Sequence, residues 1–167
     1  MKGRLLTSLL AMVVLSGLQA QETPVVPRLV VGITIDQLRM DYVEAFSALY
    51  GERGFKRLLK EGRTYQHLEY DFVDVDKSSS VASIYSGTTP YHHGIVGDMW
   101  LDRNTLRMVN CVDDANFMGV YTSESTSPVR LKVSNLVDEL MVATQGMAET
   151  YSIAPTREMA VLSAGHA

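Results

Sequence analysis

The chain has 167 residues, of which 46% are hydrophobic and 20% are charged, and its formal net charge is −4. This composition is typical of one soluble globular domain, and it excludes collagen, a disordered tail and a polytopic membrane protein. With a single cysteine, Cys111, the chain has no internal disulfide. We interpret Cys111 as a buried small apolar residue rather than a reactive thiol.

The first residues have the pattern of a secretory signal peptide. Lys2 and Arg4 precede an apolar run that extends to Leu18, and the small residue Ala20 suits a cleavage position. We therefore expect a signal peptide at 1–20, a linker at 21–27 and a domain from 28 to 167, exported to the periplasm or the cell exterior. An uncleaved anchor is the alternative.

Cleavage would make the mature chain more acidic. Loss of Lys2 and Arg4 leaves 13 of the 15 basic residues against 19 acidic ones. Because no long basic stripe remains, we expect no nucleic-acid partner, and we expect no stable membrane span after cleavage.

The first half of the domain alternates strand and helix signals. The run Leu29–Ile35 is apolar on both faces and predicts a central strand of a parallel sheet. Two short helices follow, the second ending at Gly62, and an extended stretch covers 64–72. The residues that we expect to face inward on these helices are Val43, Phe46, Leu49, Phe55, Leu58 and Leu59. This order indicates βαβ units and an α/β fold.

The second half adds helices and a hairpin. Serines capping the start and glycine at the end predict a helix over Ser78–Gly87. A hairpin is predicted from Trp100 to Val109, turning at 102–104, and a surface excursion over 110–128. The last predicted elements are a helix capped by Ser134, with Leu136, Val137, Leu140 and Ala143 inward, and extended pieces at Tyr151–Ile153 and Met159–Leu162.

Three features can carry chemistry, and each also has a structural interpretation. Asp36 directly follows the first predicted strand, where α/β sheets bind ligands, but it can equally cap the next helix. His92 and His93 are adjacent in a loop and point apart, so one of them packs or forms a hydrogen bond. The serines from Ser78 onward can bind phosphate or simply cap a helix.

The order of these features resembles a known family. Asp36, Ser83-Ile-Tyr-Ser-Gly87, His93-Gly-Ile-Val-Gly97 and Ala164-Gly-His166 follow one another as in the N-terminal part of the alkaline phosphatase superfamily. The resemblance is to bacterial alkaline phosphatases of the nucleotide pyrophosphatase and phosphodiesterase branch. It implies a doubly wound, mostly parallel sheet flanked by helices, of which this chain would hold an incomplete core.

The same resemblance implies a zinc-dependent phosphate-ester hydrolase. Two zinc ions would lie at the carboxyl ends of the strands, and a threonine or serine at a helix start would attack phosphorus. Asp36 matches the first zinc ligand, and the other ligands belong to later family sequence. This chain therefore supplies one recognisable ligand for zinc.

The chain departs from the family pattern at four positions. Lys77 occupies the nucleophile position, and Asp98 occupies that of a phosphate-binding asparagine. Thr156 and Glu158 occupy the positions of a phosphate-binding lysine and arginine. Because a lysine amine cannot replace the bridging oxygen and acidic groups repel phosphate, we hypothesise that Lys77 pairs with Asp98, Glu158 or both.

Three functional interpretations remain open. The first is a catalytically impaired or non-catalytic relative that binds a phosphate ester, another ligand or a partner chain covering the open sheet. The second is an active phosphomonoesterase or phosphodiesterase with Ser78 as a substitute nucleophile, which requires a shifted helix start because one helical residue is a rotation of ~100°. The third is a truncated relative.

Overall fold

The computed structural model describes residues 27–65, 67–73 and 75–166, so the predicted signal peptide and most of the linker lie outside the described residues. Residues 27–30 fall in a separate compact unit, and all elements lie in the unit 31–167. In chain order these elements are α1 (Met40–Ala45), a 3-10 turn (Ser47–Leu49), α2 (Phe55–Glu61), α3 (Lys77–Ser86), α4 (Pro90–His93), β1 (Met99–Asp102), β2 (Arg107–Asn110), α5 (Leu136–Ala143) and α6 (Arg157–Ala164). No helix in this described part has the length and hydrophobicity needed to cross a membrane.

Helix α3 lies at the centre of the core. It packs against α4, α5 and α6, and it ends at Gly87, whose φ of +69° is a left-handed conformation that favours glycine. The buried apolar side chains form one cluster around it, consisting of Val81, Ala82, Ile95, Cys111, Val112, Leu131 and Leu162. The prediction of a helix over Ser78–Gly87 is thus confirmed, with the start one residue earlier.

The predicted hairpin is also confirmed. β1 and β2 pair antiparallel, with Trp100 opposite Val109. The turn is held at its start by the Asp102 side chain, which accepts hydrogen bonds from the Asn104 backbone N–H and the Thr105 hydroxyl, both at 2.9 Å. Short-range turn chemistry therefore determines this element.

The predicted surface loop at 110–128 is confirmed only for its central residues. Residues 115–124 are exposed apart from the half-buried Gly119. Cys111 and Val112, however, are fully buried in the core. Their burial at the end of β2 places the neighbouring residue Asn110 close to α6, as described below.

The first predicted strand is not observed among the described residues. Residues 31–35 form neither a helix nor a paired strand, and Val31, Ile33 and Ile35 are exposed. The predicted extended stretch at 64–72 likewise contains no strand in its described residues. The two helices do form, but Val43 is their only buried apolar residue, and the expected inward residues Phe46, Leu49, Leu58 and Leu59 are exposed.

The last two helices correct the sequence analysis. Met159–Leu162 is helical rather than extended, because Thr156 caps α6 and its hydroxyl accepts from the Met159 N–H at 3.4 Å. Tyr151–Ile153 forms no strand. On α5, Leu136 and Ala143 are exposed although both were expected to face inward.

Asn135, not Ser134, caps α5, and it also joins α5 to α6. Its Oδ1 accepts from the Val137 and Asp138 N–H groups, and its Nδ2 donates to the Leu162 carbonyl at 3.1 Å. Asn135 is buried, and its bond to the Leu162 carbonyl is buried as well. Asn135 therefore stabilises the start of one helix and the end of the other.

Candidate functional site

The amino end of α3 begins at Lys77, the predicted nucleophile position. Asp76, rather than a serine, caps this helix: its Oδ1 accepts from the Ser79 N–H at 2.8 Å, and the Ser79 hydroxyl accepts from the Asp76 N–H at 3.0 Å. The other carboxylate oxygen of Asp76 accepts from the Asp98 N–H at 2.6 Å. This reciprocal arrangement is a capping box, and it also fixes the loop that carries Asp98.

Asp98 lies against the same helix end. Its Oδ1 accepts a hydrogen bond from the backbone N–H of Ser78 at 3.1 Å, and its carbonyl oxygen accepts from the Cys111 N–H at 2.9 Å. The free amides at the start of a helix carry partial positive charge and are natural anion-binding groups. Here two carboxylates of the chain itself, Asp76 and Asp98, already bind these amides.

Lys77 is the first residue of α3, and its ammonium forms an ion pair with Asp36. The Lys77 Nζ lies 3.9 Å from the Asp36 Oδ2, and about half of each side chain is exposed. Within the described chain Lys77 forms no ion pair with Asp98 or Glu158, so the hypothesised pairing is not observed. Both acids are instead occupied by hydrogen bonds from other residues, and an exposed pair such as Lys77–Asp36 stabilises the fold only weakly.

The described residues do not by themselves form a zinc site. Asp36 is the one matching ligand, and the nearby charge is the Lys77 ammonium, which repels a metal cation. No group of three or more His, Cys, Asp or Glu side chains in the described ranges has a geometry that could hold a metal ion. Structural and catalytic zinc sites need three or four such ligands.

Ser78, the substitute nucleophile of the sequence analysis, faces the core. The residue is fully buried, and its hydroxyl accepts a hydrogen bond from the Cys111 thiol at 3.5 Å. Burial raises the pKa of the Cys111 thiol to about 11, and the charges of Glu158, Asp98 and Asp76 act in the same direction. Cys111 is therefore a protonated core residue, as expected, and Ser78 is not placed to reach an external ester.

Thr156 and Glu158 lie at the amino end of α6. Neither side chain carries a positive charge that could bind phosphate. Thr156 is the helix cap, and Glu158 accepts a hydrogen bond from the Asn110 side-chain amide. Burial opposes ionisation of Glu158, but its hydrogen bonds to backbone and to Asn110 outweigh this and lower its pKa. Glu158 is thus a stable carboxylate that joins α6 to the end of β2.

Arg157, between these two positions, is held by acids. Its guanidinium lies 2.9 Å from Asp113, 2.5 Å from Glu124 and 3.4 Å from Glu158. Although burial opposes its charge, these carboxylates raise the pKa of Arg157. The residue therefore ties the 113–126 loop to α6, and its charge is already compensated.

The two adjacent histidines lie in different environments, as predicted. His93 is buried, and the Ile95 N–H donates to its Nδ1 at 3.1 Å. The proton is therefore on Nε2, which lies 3.0 Å from the Ser83 hydroxyl. Burial lowers the pKa of His93, while His92 is exposed. His93 is a neutral structural residue between α3 and the following loop.

Three parts of this site were not predicted from the sequence: Asp76, Asn110 and the Arg157 network. Asp76 had a local signal, because an Asp three residues before Ser79 is a capping-box pattern. The other contacts join residues far apart in the chain, such as Asn110 and Glu158, and sequence spacing carries no signal for them.

Comparison with known proteins identifies the fold of which this site is a part. The family described as type I phosphodiesterase / nucleotide pyrophosphatase matches residues 30–158. Alkaline phosphatase PafA of Elizabethkingia meningoseptica is 35% identical over 95% of this chain and 30% of its own length. Alkaline phosphatase PhoV of Synechococcus elongatus is 37% identical over 84% of this chain and 26% of its own length.

Two solved structures of alkaline phosphatase PafA are also similar to this chain. The crystal structure of wild-type PafA superposes with a TM-score of 0.79 at 33% identity, over 84% of this chain and 28% of that one. A PafA variant substituted at a threonine, an asparagine, a lysine and an arginine superposes with a TM-score of 0.75 at 31% identity, over 80% of this chain and 26% of that one. This chain thus spans less than a third of the length of these relatives, and its fold is an incomplete alkaline-phosphatase-like α/β core. It belongs to the type I phosphodiesterase / nucleotide pyrophosphatase family of the alkaline phosphatase superfamily and corresponds to part of the N-terminal region.

Proposed function

We propose that this chain is an exported, non-catalytic member of the family, in which the phosphate-binding positions have become structural. The observation that carries the proposal is the occupation of the α3 amino end by the Asp76 and Asp98 carboxylates. A phosphate ester would have to displace both from backbone amides.

Charge supports the same proposal. The charges of Asp76, Asp98 and Glu158 all raise the pKa of the Cys111 thiol, which contacts Ser78, so the negative fields of these three acids overlap near the start of α3. Of the neighbouring cations, Arg157 is bound by acids and Lys77 pairs with Asp36. A phosphate dianion would therefore meet a negative field, and we expect no measurable phosphate binding.

The alternative is an active phosphomonoesterase or phosphodiesterase that uses Ser78. It requires the buried Ser78 hydroxyl to leave its contact with Cys111 and to reach the exposed side of the helix. It also requires a metal or another group to activate that hydroxyl, and Asp36 is paired with an ammonium. Among the described residues no contact favours this alternative, so activity that depends on Ser78 is the result that would contradict the proposal.

The test is a hydrolysis assay with and without zinc. Purified chain is incubated with p-nitrophenyl phosphate and bis-p-nitrophenyl phosphate, with PafA as the positive control, and Ser78→Ala and the exposed-site control Ser134→Ala are assayed in parallel. We expect no zinc-dependent turnover by any form of this chain. Zinc-dependent turnover that Ser78→Ala abolishes and Ser134→Ala retains would overturn the proposal in favour of the active enzyme.

Export is the second part of the proposal, and it depends on the signal-peptide pattern of residues 1–20. Expression of the chain in a Gram-negative host should give a periplasmic product that begins at Gln21. Mass spectrometry of the purified product measures this directly. Retention of Met1–Ala20 in the membrane fraction would instead support an uncleaved anchor.

A further inference from the structure

His166 follows α6 and lies against the start of α5. Gly165, with a φ of +73°, turns the chain back after α6, and it approaches Asn135 so closely that an added Cβ would lie 2.5 Å from the Asn135 Oδ1. The backbone N–H of His166 then donates to the Asp138 Oδ1 at 2.6 Å. The backbone therefore holds the His166 ring beside the first turn of α5.

Both ring nitrogens of His166 face oxygen atoms that accept hydrogen bonds. The Nδ1 lies 2.9 Å from the Asp138 Oδ2, and the Nε2 lies 3.0 Å from the Leu131 carbonyl oxygen. A neutral imidazole has one ring proton, so it can donate to one of these oxygens and turns a nitrogen lone pair toward the other. An imidazolium has two ring protons and can donate to both.

Asp138 is ionised, so it supplies no proton of its own to this contact. Besides the two bonds from His166, its Oδ2 accepts from the Asn135 N–H at 2.9 Å. Burial opposes ionisation of Asp138, but the hydrogen bonds from His166 and Asn135 outweigh this and lower its pKa. The shared proton therefore belongs to the histidine ring.

Two other charged side chains lie close to this contact. Lys132 lines the same cleft of about 430 Å³ as His166 and Asp138, and its positive charge disfavours a second one on the ring. Glu139, the next residue of α5, accepts from the Ser134 hydroxyl at 2.6 Å. The Asp138 carboxylate touches the ring directly and favours the imidazolium. Because 42% of the His166 side chain is exposed, the ring can exchange protons with solvent.

We propose that His166 is doubly protonated at neutral pH and acts as a pH-sensitive clasp that joins the end of α6 to Asp138 on α5 and to the Leu131 carbonyl. Loss of one ring proton replaces one of the two ring hydrogen bonds with a lone pair facing an oxygen atom. The clasp is therefore complete while His166 is protonated and Asp138 is ionised, and it weakens as the pH rises. His93 has the opposite dependence, because burial favours its neutral form. The clasp does not depend on the proposed loss of catalysis.

NMR of the imidazole nitrogens tests the clasp. Proton–nitrogen correlation spectra of the isotope-labelled chain distinguish a doubly protonated ring from either neutral tautomer. At about pH 7.5 an ordinary histidine is mostly neutral. We expect both ring nitrogens of His166 to be protonated at this pH, while the exposed reference His92 has one ring proton. A single protonated nitrogen on His166 would overturn the proposal.

Asp138→Asn tests whether this carboxylate is responsible. The variant loses the charge but keeps a side-chain oxygen that can accept from the Asn135 N–H. We expect His166 to lose its second ring proton at about pH 7.5. The matched control Glu139→Gln removes the same charge from the neighbouring residue and should leave His166 doubly protonated. Equal proton loss in both variants would show that His166 responds to net charge rather than to Asp138, and would contradict the clasp.

Stability gives a second measurement that does not require Asp138→Asn to fold. The free energy of unfolding is measured by urea denaturation at about pH 6 and about pH 9 for the unmodified chain, His166→Gln and the exposed-site control His92→Gln. We expect the chain and His92→Gln to lose stability over this range, and His166→Gln to lose less, because a glutamine amide does not titrate there. Equal losses in all three would overturn the clasp.

Discussion

Replacement of Asp98 tests directly whether this carboxylate has become a structural cap for α3. In Asp98→Ala the N–H of the fully buried Ser78 loses its acceptor. An unsatisfied buried donor costs about 1–3 kcal/mol. Loss of the negative charge at a helix start adds about 0.3–1 kcal/mol. We therefore expect Asp98→Ala to lower the free energy of unfolding by about 2 kcal/mol, with the larger share arising from the hydrogen bond.

Asp98→Asn separates the two contributions. The asparagine carbonyl oxygen can still accept from Ser78, so this variant should lose only the charge contribution of about 0.3–1 kcal/mol. Urea denaturation followed by circular dichroism measures both variants, with Glu61→Ala as the control because Glu61 makes only an exposed ion pair with Arg57. Equal destabilisation by Asp98→Ala and Asp98→Asn, within about 0.3 kcal/mol, would refute the assigned hydrogen bond.

Two further predictions concern the helix ends and a buried histidine. Gly165 has a φ of +73°, and an added Cβ would lie 2.5 Å from the Asn135 Oδ1, so Gly165→Ala should cost about 1–3 kcal/mol more than Gly87→Ala, whose φ is +69° in open space. Equal costs in denaturant titrations would contradict the role given to Asn135. Burial lowers the folded-state pKa of His93 below 6.5, so the stabilisation from neutral His93 is complete above pH 6.5 and is lost as the pH falls below it. His93→Gln should therefore flatten the decrease in unfolding free energy below pH 6.5, whereas the exposed-site control His92→Gln should not. Unchanged slopes in both variants would show that His93 is not responsible.

Local signals in the sequence were sufficient for the helices with clear ends and for the hairpin. Glycine after α2 and α3 marks their ends, and Asp102 with the following polar residues marks the turn. These signals act over a few residues, so they work without knowledge of the rest of the fold. The caps of α3 and α5 were each misplaced by one or two residues, since several polar residues there can act as caps.

Short apolar runs were the main source of error. Met159–Leu162 has the composition of a strand, but the Thr156 cap and packing against α3 make it the middle of a helix. Leu29–Ile35 has the composition of a central strand, yet its described residues have no strand partner and stay exposed. An apolar run is expected to be buried, but the elements that pack against it determine whether it forms a strand or a helix.

The motif strings around Asp36, Ser83 and His93 are local, so they were enough to assign the family from the amino-acid sequence. They also predict departures from the family pattern at Lys77 and Asp98. What these side chains contact depends on the fold. Lys77 was expected to pair with acids at the old phosphate positions, but the fold places its ammonium beside Asp36. The carboxylate of Asp98 instead binds a backbone amide 20 residues away in sequence. The fold determines which partner lies within reach of a charged side chain, and the spacing of residues along the chain does not reveal that partner.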